Sequence, residues 1–420
     1  MISLSIHNFG CRVNQAEAFL WADEFQKNGV SLEKDYLQSD FVLVNSCTLT
    51  HRSDRDVRQF IKKVSRSNPR ARVIVTGCLV DGAYDELREM PHVWRLFPNS
   101  EKKDLAEKVL SLIPPQEKAW ARVWPFRSRA LLKIQDGCSF QCTFCIIPKV
   151  RGKSISLPKE EILSQGKKFI DQGFKEIVLT GIHLCSYGHD LNPKSSFLEL
   201  LQEIERLKGL RKIRLSSLDP RFLNPSLIGH LVSSRKICPH FHLSLQHGSD
   251  DILRRMGRST KVDDFRRIVA HLREHSAQAA LGADIIVGFP GEREKDFGQT
   301  YEFLKQSPLT YFHVFPYSPR PGTPASSWPQ VDEKVKKERS SHLRKLSKQK
   351  RLNFHRLFID KELDGIVIKK VNGGARVLTS NYLDVSVPNC PPAEREEVRV
   401  KIKRVSLNGV TGEIILPHSS

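Results

Sequence analysis

The first 112 residues repeat one pattern three times: a short apolar run rich in β-branched residues, a turn of small residues that leads to a cysteine, and a helical stretch. The apolar runs span Ile2–Ile6, Phe41–Val44 and Arg72–Val75. Short runs that alternate with helical stretches are typical of a parallel sheet covered by helices. The pattern therefore predicts an N-terminal α/β domain of Rossmann or flavodoxin type over residues 1–115, within an α/β protein of several domains.

A longer repeat of the same kind resumes after a linker at residues 116–129, which carries Trp120, Trp124 and Phe126 among arginines. Six strand candidates follow, and helical stretches separate most of them. They are Leu131–Gln135, Glu176–Thr180, Lys212–Ser216, Phe241–Leu245, Ala283–Val287 and Tyr311–Phe315. Six βα units predict a partial or complete barrel, here a (βα)6 core of TIM type over residues 130–330, with functional residues at the carboxyl ends of its strands.

The end of the chain changes character twice. Residues 331–358 predict a connecting helix crowded with lysine and arginine. Residues 359–420 predict short alternating strands joined by Asn-Gly turns, which is typical of a small antiparallel β-barrel.

Charge limits the class of partner. The chain has 67 lysines and arginines against 47 acidic residues, a net charge of +20. Such an excess favours a polyanionic partner, above all nucleic acid, and the alternative is a basic enzyme that is merely well solvated. No apolar run approaches the roughly 20 residues needed to span a membrane, and Met1–Leu4 does not begin a secretory leader. We therefore expect a cytoplasmic protein without a membrane partner.

Three cysteines stand on one short stretch that follows the first strand of the central region. Cys138, Cys142 and Cys145 have the spacing Cys-x3-Cys-x2-Cys. Three close thiolates can hold three irons of a [4Fe–4S] cube and leave the fourth iron open to an outside ligand. The alternatives are a zinc site, which normally needs a fourth protein ligand, and a purely structural loop. The spacing favours the cluster.

This spacing resembles that of the radical S-adenosylmethionine superfamily. The resemblance implies that the open iron binds S-adenosylmethionine and that one electron from the cluster cleaves the sulfonium to give a 5′-deoxyadenosyl radical. It also implies cofactor contacts at three later strand ends, although each could be an ordinary turn. The candidate cofactor-binding residues are Thr180, Gly181, Ser216, Ser217, Gly288 and Pro290.

A second trio, Cys11, Cys47 and Cys78, has no informative spacing. Each of these cysteines follows a predicted strand of the N-terminal domain. The carboxyl ends of parallel strands lie at the same edge of a sheet, where open α/β sheets bind ligands. The three thiols are therefore predicted to converge; the alternative is three separate buried thiols, which is common for cysteine.

The residues around this trio resemble the N-terminal domain of the methylthiotransferases, above all Gly10–Glu17, Asn45–Thr48 and Thr76–Cys78. The resemblance extends through Gln246–Arg258 and Phe315–Thr323 to the last sixty residues, which resemble the TRAM RNA-binding barrel. It implies a second [4Fe–4S] cluster on Cys11, Cys47 and Cys78, and catalytic roles for all six cysteines. We read Cys185, Cys238 and Cys390 as structural.

Basic residues of the C-terminal barrel are the candidates for RNA binding. They are Lys369, Lys370, Arg376, Arg399, Lys401, Lys403 and Arg404. The preceding helix is a second candidate surface, and its alternative is a solvated strut whose leucines pack while its charges face water.

The family resemblance implies transfer of a methylthio group by radical chemistry, with sulfur delivered at the second cluster. Gly10–Glu17 looks most like the branch that acts on N6-threonylcarbamoyladenosine at position 37 in the tRNA anticodon stem-loop. The other branches act on isopentenyladenosine-37 tRNA or on a ribosomal protein, and the positive charge favours RNA. An electron donor such as flavodoxin or ferredoxin is also implied. A non-catalytic iron–sulfur RNA-binding protein is the alternative of another class.

Overall fold

The computed structural model describes residues 2–115, 128–371, 373–389 and 393–415. The predicted linker aromatics and Cys390 lie outside these residues. Within them the chain forms two compact units. The first unit comprises residues up to 115 together with Asp136–Ile155 and Ser318–Thr323, and the second comprises the rest. The stretch with Cys138, Cys142 and Cys145 thus belongs to the same unit as the N-terminal sheet.

The N-terminal part consists of five strands and five helices. The strands are β1 Ser3–Asn8, β2 Ser31–Glu33, β3 Phe41–Ser46, β4 Arg72–Gly77 and β5 Val93–Phe97; the helices are α1 Arg12–Lys27, α2 His51–Ser67, α3 Cys78–Gly82, α4 Tyr84–Arg88 and α5 Leu105–Ser111. The sheet is parallel, in the order β2-β1-β3-β4-β5. β2 and β5, which have few β-branched residues, were not predicted.

Both faces of this sheet are covered because β3 is apolar on both sides. Val42 and Val44 pack with α2, whereas Phe41 and Leu43 pack with α1 and α5. The start of α2 is fixed by Thr50, whose hydroxyl accepts a hydrogen bond from the Ser53 backbone N–H at 3.1 Å; such an N-cap is worth about 1 kcal/mol. The predicted parallel, helix-covered sheet is confirmed.

The central region continues the alternation. Its strands are β6 Ala130–Asp136, β7 Ile155–Ser156, β8 Glu176–Gly181, β9 Lys212–Leu215, β10 His240–Gln246, β11 Ala280–Val287 and β12 Tyr311–Pro316; its helices are α6 Ile147–Val150, α7 Lys159–Asp171, α8 Phe197–Glu205, α9 Pro225–Ser233, α10 Asp250–Arg255, α11 Val262–His275 and α12 Glu294–Gln306.

The strands of the central region form two sheets, β7-β6-β8-β9 and β10-β11-β12. The pairings of β6 with β8, β8 with β9, β10 with β11 and β11 with β12 are parallel. Parallel bridges at Ile213↔Ile237 and Leu218↔Leu243 connect the end of the first sheet to the second. Among the described residues β6 and β12 are not paired, so the arc of six parallel strands is a partial barrel. The six predicted strands are all present.

The C-terminal part begins with a long helix, α13 Glu333–Arg356, and ends in a closed barrel. The barrel strands are β13 Glu362–Val371, β14 Gly374–Thr379, β15 Asp384–Pro388, β16 Glu397–Ser406 and β17 Gly409–Ile415. Four of their pairings are antiparallel, and β15 pairs with β17 in parallel. The predicted small barrel is confirmed.

The closed barrel and the partial barrel share buried contacts inside the second unit. The guanidinium of Arg214 in β9 is fully buried, pairs with Glu176 and donates to the Thr379 and Ser380 carbonyls. The Tyr382 ring stacks on His240 with centroids 3.9 Å apart. Hydrogen bonds that involve a charged group are worth roughly 1.5–3 kcal/mol each, so the two bonds from Arg214 tie the C-terminal barrel to the central one.

No helix in the described part of the chain combines the length and apolar character needed to span a lipid bilayer.

Candidate active site

The N-terminal cysteines stand at the carboxyl ends of three adjacent strands. Cys11 is the N-cap of α1 and follows β1, Cys47 follows β3, and Cys78 is the first residue of α3 after β4. Because the sheet order places β1, β3 and β4 side by side, the three thiols share one edge of the sheet. The predicted convergence of these strand ends is present in the structure.

Two glycines make room for this arrangement. Gly10 has φ +95°, and a Cβ there would lie 2.5 Å from the Cys47 sulfur. Gly77 has φ +103°, and a Cβ there would lie 2.3 Å from the Ser46 carbonyl oxygen. Both conformations are costly for residues with a side chain. The Gly-Cys pairs in the sequence therefore reflect close approach of the cysteine loops.

Two asparagines hold the loops after β1 and β3 together. The Asn14 side-chain amide donates to the Phe9 carbonyl at 2.9 Å and to the Ser46 carbonyl at 2.8 Å. The Asn45 amide donates to the Asn14 carbonyl at 2.8 Å. Buried backbone carbonyls need partners of this kind, so Asn14 fixes the relative positions of Cys11 and Cys47.

The thiols of this trio influence one another electrostatically. Burial raises the pKa of Cys47 to about 12, and the nearby sulfurs of Cys11 and Cys78 add to the increase. Burial likewise raises the pKa of Cys11, although the Arg151 guanidinium opposes it. Such thiols stay protonated unless a metal replaces the proton, since thiolates are the form that binds metal.

Arg151 connects the two cysteine regions within the first unit. It follows Cys145 by six residues, and its side chain is 1% exposed. Its guanidinium donates to Cys78 Sγ at 3.3 Å, to Glu17 Oε1 at 3.1 Å and to Asp136 Oδ1 at 2.8 Å, and it also contacts the Asn14 side chain. One buried cation therefore ties the segment of the second trio to the site of the first.

Further ion pairs complete the surroundings of the N-terminal cysteines. Glu17 also accepts from the buried Lys102 ammonium at 2.7 Å. Arg320 donates to Asp54 at 2.6 Å and to the hydroxyl of Thr48, the residue after Cys47, at 2.8 Å. The remaining Arg320 nitrogens, Nε and Nη1, are buried and lack a hydrogen-bond partner among the described residues.

The second trio lies on a loop. Asp136 ends β6, and Gly137 has φ +64°, where a Cβ would lie 2.0 Å from the Lys153 carbonyl oxygen. The Cys138 N–H donates to the Gly152 carbonyl at 3.0 Å, and the Cys145 N–H donates to the Cys142 carbonyl at 3.0 Å. The loop is thus folded against the segment between α6 and β7, and its three cysteines are half-buried.

Both trios fit iron–sulfur clusters by the chemistry of their donors. No disulfide joins any of the six cysteines, and neither trio is among the described sets of side chains whose ligand atoms lie within 4.8 Å of one another. A cube spreads its ligands more widely than a single ion does. Thiolate-only donors are typical of such clusters, and the buried Arg151 offsets their negative charge at the N-terminal trio.

The residues predicted to bind S-adenosylmethionine lie at strand ends of the second unit. Thr180 and Gly181 end β8, and Ser216 and Ser217 follow β9. The hydroxyls of Thr180 and Ser216 are buried and lack hydrogen-bond partners among the described residues. Buried polar groups are normally paired, so these two hydroxyls fit a polar ligand at this edge of the barrel.

Gly288 and Pro290 have partners within the protein. A Cβ at Gly288 would lie 2.2 Å from Lys336 Cγ, and its N–H donates to Glu292. The Pro290 carbonyl accepts from Arg255 at 3.2 Å. Close packing against α13 is therefore a sufficient reason for the glycine at position 288.

The seven basic residues predicted to bind RNA differ in whether an acidic side chain pairs with them. Arg376 pairs with Asp384 at 2.5 Å, Lys403 with Glu413 at 2.6 Å, and Arg399 lies 3.5 Å from Glu362. Lys369, Lys401 and Arg404 make no ion pair among the described residues. Lys370 is the seventh predicted residue and is not assigned to either group. On α13, Lys336 and Arg339 are buried and pair with Glu333 and Glu292, so these two cations do not belong to a solvent-facing surface.

Cysteine 185 and Cys238 are buried, as expected for structural thiols. The Cys238 thiol donates to Glu176 at 3.8 Å. Burial raises the pKa of each to about 12. Sequence reasoning missed Arg151 and Lys102, because an isolated cation in a basic chain gives no sign that it will be buried.

Two family descriptions match the chain. Residues 132–304 match the radical SAM superfamily, and residues 3–97 match a family described as uncharacterized protein family UPF0004. Among solved structures, the chain resembles the radical S-adenosylmethionine methyltransferase TsrM from Kitasatospora setae with a TM-score of 0.58, covering 77% of each chain. At 14% identity this likeness concerns the fold alone.

Curated relatives align over most of the chain. The threonylcarbamoyladenosine tRNA methylthiotransferase MtaB of Aquifex aeolicus is 37% identical over 400 residues, 91% of this chain and 96% of that protein. The tRNA-2-methylthio-N(6)-dimethylallyladenosine synthase of Pelotomaculum thermopropionicum is 31% identical over 80% of each chain. At this identity and coverage, the chain belongs to the methylthiotransferase family of radical S-adenosylmethionine proteins.

Proposed function

We propose that this protein transfers a methylthio group to tRNA, converting N6-threonylcarbamoyladenosine at position 37 to its 2-methylthio derivative. The cofactors are two [4Fe–4S] clusters and S-adenosylmethionine, one cluster on Cys138, Cys142 and Cys145 and the other on Cys11, Cys47 and Cys78. The observation that carries the proposal is the Arg151 network, which joins the segment of one trio to Cys78 of the other. A reaction that needs both clusters needs them in one fixed unit.

When bound, the clusters and S-adenosylmethionine supply the electron, the radical and the sulfur that an unreactive adenine C–H bond requires. The protein's own residues hold these groups. Gly10 and Gly77 let the cysteine loops approach closely, Asn14 fixes two of those loops, and Arg151 places a permanent positive charge beside Cys78. Burial of the Cys47 thiol excludes water from its sulfur.

The unpaired hydroxyls of Thr180 and Ser216 are the groups we assign to S-adenosylmethionine, together with Gly181 and Ser217. Bound S-adenosylmethionine, with its nucleoside and its amino and carboxylate groups, would give these hydroxyls hydrogen-bond partners. Binding would thereby remove the penalty of about 1–3 kcal/mol for a buried polar group without a partner. Gly288 and Pro290 remain weaker candidates, since the protein itself engages them.

The choice of substrate branch rests on similarity over the whole chain. The threonylcarbamoyladenosine relative is more similar than the dimethylallyladenosine relative, 37% against 31%. Within the Gly10–Glu17 segment, Asn14 and Glu17 are used inside the cysteine site. These two residues therefore help to build the cysteine site.

The experiment that tests this function is mass spectrometry of tRNA nucleosides from cells with and without the protein. The proposal predicts that 2-methylthio-N6-threonylcarbamoyladenosine disappears in the deletion strain while its unmethylthiolated precursor accumulates. Unchanged amounts of both nucleosides would refute the proposed substrate. Loss of the isopentenyladenosine derivative alone would move the protein to the other tRNA branch.

We assign phosphate contacts with tRNA to Lys369, Lys401 and Arg404 of the C-terminal barrel, because these cations make no ion pair with any residue that the structure describes. Removal of the whole barrel is a poor test, since it would also remove the groups that hold Arg214. The slope of log K for tRNA binding against log salt is negative. Substituting glutamine for all three cations should reduce its magnitude by about two to three, the value expected for three lost phosphate contacts.

The matched control replaces Arg376, Arg399 and Lys403 with glutamine, which changes the net charge by the same amount. Because acidic neighbours already neutralise these cations, the slope should change less. Equal changes in both triple variants would mean that tRNA responds to net charge alone.

The electron donor is proposed to be a small protein such as flavodoxin or ferredoxin, and it should support turnover in place of a chemical reductant.

A further inference from the structure

Three potential metal ligands lie on adjacent strands of the central barrel, apart from all six cluster cysteines. His242 is in β10, Asp284 in β11 and His313 in β12. The strand register pairs Asp284 with His313 and pairs His242 with Gly282, two residues before Asp284. Side chains two residues apart on a strand point to the same face. The three side chains therefore meet on one face of this sheet.

The distances among their ligand atoms match those around one ion. His242 Nε2 lies 3.0 Å from Asp284 Oδ1, and His313 Nδ1 lies 3.4 Å from the same oxygen. All three ligand atoms lie within 4.8 Å of one another. Zinc binds nitrogen and oxygen at about 2.0–2.2 Å, which separates neighbouring ligand atoms by roughly 3.3–3.5 Å in a tetrahedral site. The site needs only small adjustments to hold an ion.

A second layer of contacts fixes the ring of His242. Its other nitrogen, Nδ1, lies 3.2 Å from the Tyr311 hydroxyl, which also lies 2.7 Å from His240 Nε2. Histidines that bind metals usually have their second nitrogen held in this way, which sets the ring orientation. Nε2 of His242 is thus presented toward Asp284 before any ion arrives.

Charge and exposure also suit an ion. An aspartate carboxylate is an anionic ligand at neutral pH, and that of Asp284 faces both imidazoles. The side chain of His242 is 8% exposed and that of His313 is 55% exposed, so the site is closed on one side and open on the other.

The open side carries positive charge. His313 contributes to the lining of a cavity of about 760 Å³ that also includes the cations Lys348 and Arg351, as well as Arg129 and Arg376, which pair with Glu176 and Asp384. Metal sites with three protein ligands keep a position for water or for a ligand oxygen. Basic side chains around that position favour an anionic oxygen ligand such as a carboxylate or a phosphate.

We propose that His242, Asp284 and His313 bind one divalent transition-metal ion, with an open coordination position on the side of His313. Two imidazoles and a carboxylate suit zinc or ferrous iron, whereas magnesium and calcium prefer sites of oxygen alone. The site contains no cysteine and uses no residue of either cluster. The competing explanation, a metal-free network in which two histidines share one carboxylate, is an outcome of the test below.

The test measures zinc on full-length protein with both clusters reconstituted. All samples carry His275→Gln, because His271, Glu274 and His275 form a second possible site on α11. Protein is given two equivalents of zinc and desalted, and zinc and iron are counted by mass spectrometry. We expect about one retained zinc per chain and unchanged iron, with zinc affinity roughly tenfold or more weaker in His313→Gln and Asp284→Asn, the usual scale for a disturbed metal site.

X-ray absorption at the zinc edge identifies the ligands directly. The proposal predicts a first shell of nitrogen and oxygen at about 2.0–2.1 Å, and a sulfur shell at about 2.3 Å would place the zinc on cysteines instead. Circular dichroism checks that the variants fold; His313 is exposed enough that its substitution decides the matter if Asp284→Asn misfolds. No retained zinc, equal retention in the variants, or a sulfur shell would each overturn the proposal and leave the metal-free network.

Discussion

Cys11, Cys47 and Cys78 stand at the ends of three neighbouring strands, whereas Cys138, Cys142 and Cys145 share one loop without helix or strand. The first trio depends on the sheet: its members are 36 and 31 residues apart in sequence and meet only when β1, β3 and β4 pair. The second trio is brought together by chain connectivity alone. A site built on strand ends is positioned by the core, and a site on a loop is positioned by its neighbours.

This difference explains where the supporting contacts are found. The N-terminal trio has glycines that allow close approach, asparagines that join its loops, and buried charges around it. The loop of the second trio has backbone hydrogen bonds to the segment that follows it and one shared arginine. The loop can therefore rearrange around a ligand at less cost than the sheet edge can, since elements with few buried contacts open most easily.

The largest expected effect separates the two trios by iron content. Reconstituted protein should hold about eight irons, and replacing either trio with alanine should leave about four, because each trio holds one cube. Mössbauer spectra should show the remaining irons as a single [4Fe–4S] cluster in each triple variant. Loss of all iron from either variant would mean that the two sites assemble as one.

Gly77→Ala tests how tightly the edge of the N-terminal sheet constrains Cys11, Cys47 and Cys78. A Cβ there meets the Ser46 backbone at φ +103°, and strain of this kind costs of order 1–3 kcal/mol. Because Cys78 follows directly, we expect the N-terminal trio to lose most of its iron while the other trio keeps its cluster. Iron counts and thermal unfolding measure the two effects.

Gly82→Ala is the matched control, since a Cβ at that position meets nothing within 4 Å. Its iron content and melting temperature should equal those of the unmodified protein. Normal iron content in Gly77→Ala would show that the cysteine loops are less tightly constrained than the sheet geometry implies.

Arg151→Gln should have a smaller effect on iron content than Gly77→Ala, and it disturbs contacts of both cysteine regions. It leaves the buried Glu17 and the half-buried Asp136 without their shared cation. Removing one partner of a buried pair costs roughly 3–5 kcal/mol at most, and the cost is lower here because Lys102 still pairs with Glu17. We expect a lower melting temperature and a lower reduction potential for the N-terminal cluster, because a positive charge beside Cys78 stabilises the reduced form.

Compared with Arg151→Gln, Arg151→Lys should restore part of the reduction potential of the N-terminal cluster, because it keeps the positive charge but not the planar set of donors. Arg52→Gln is the control, since Arg52 is 82% exposed and its loose pair with Asp56 contributes little. An unchanged potential in Arg151→Gln would confine the role of Arg151 to packing.

The same contrast explains what the sequence could predict. The Cys-x3-Cys-x2-Cys spacing is local, so Cys138, Cys142 and Cys145 were identified directly. Cys11, Cys47 and Cys78 required the inference of adjacent parallel strands, which the regular alternation of strands and helices allowed. Strands β2 and β5 were missed because their sequences lack β-branched runs.

Buried charges could not be predicted in the same way. Arg151, Lys102 and Arg214 resemble the other basic residues of a chain with net charge +20, and only the folded structure reveals their acidic partners. The same holds for Arg376, Arg399 and Lys403, which were predicted to face RNA and have carboxylates beside them. Composition gives the sum of the charges, and folding decides their pairing.

The central claim is that one trio serves S-adenosylmethionine cleavage and the other serves sulfur delivery. The most direct test is a single reaction of the Cys11, Cys47 and Cys78 triple alanine variant with reductant, S-adenosylmethionine and threonylcarbamoylated tRNA, in which both products are quantified. We expect the Cys11, Cys47 and Cys78 variant to form 5′-deoxyadenosine without any methylthiolated nucleoside. We expect neither product from the Cys138, Cys142 and Cys145 variant. Methylthiolated nucleoside from the first variant would contradict the account.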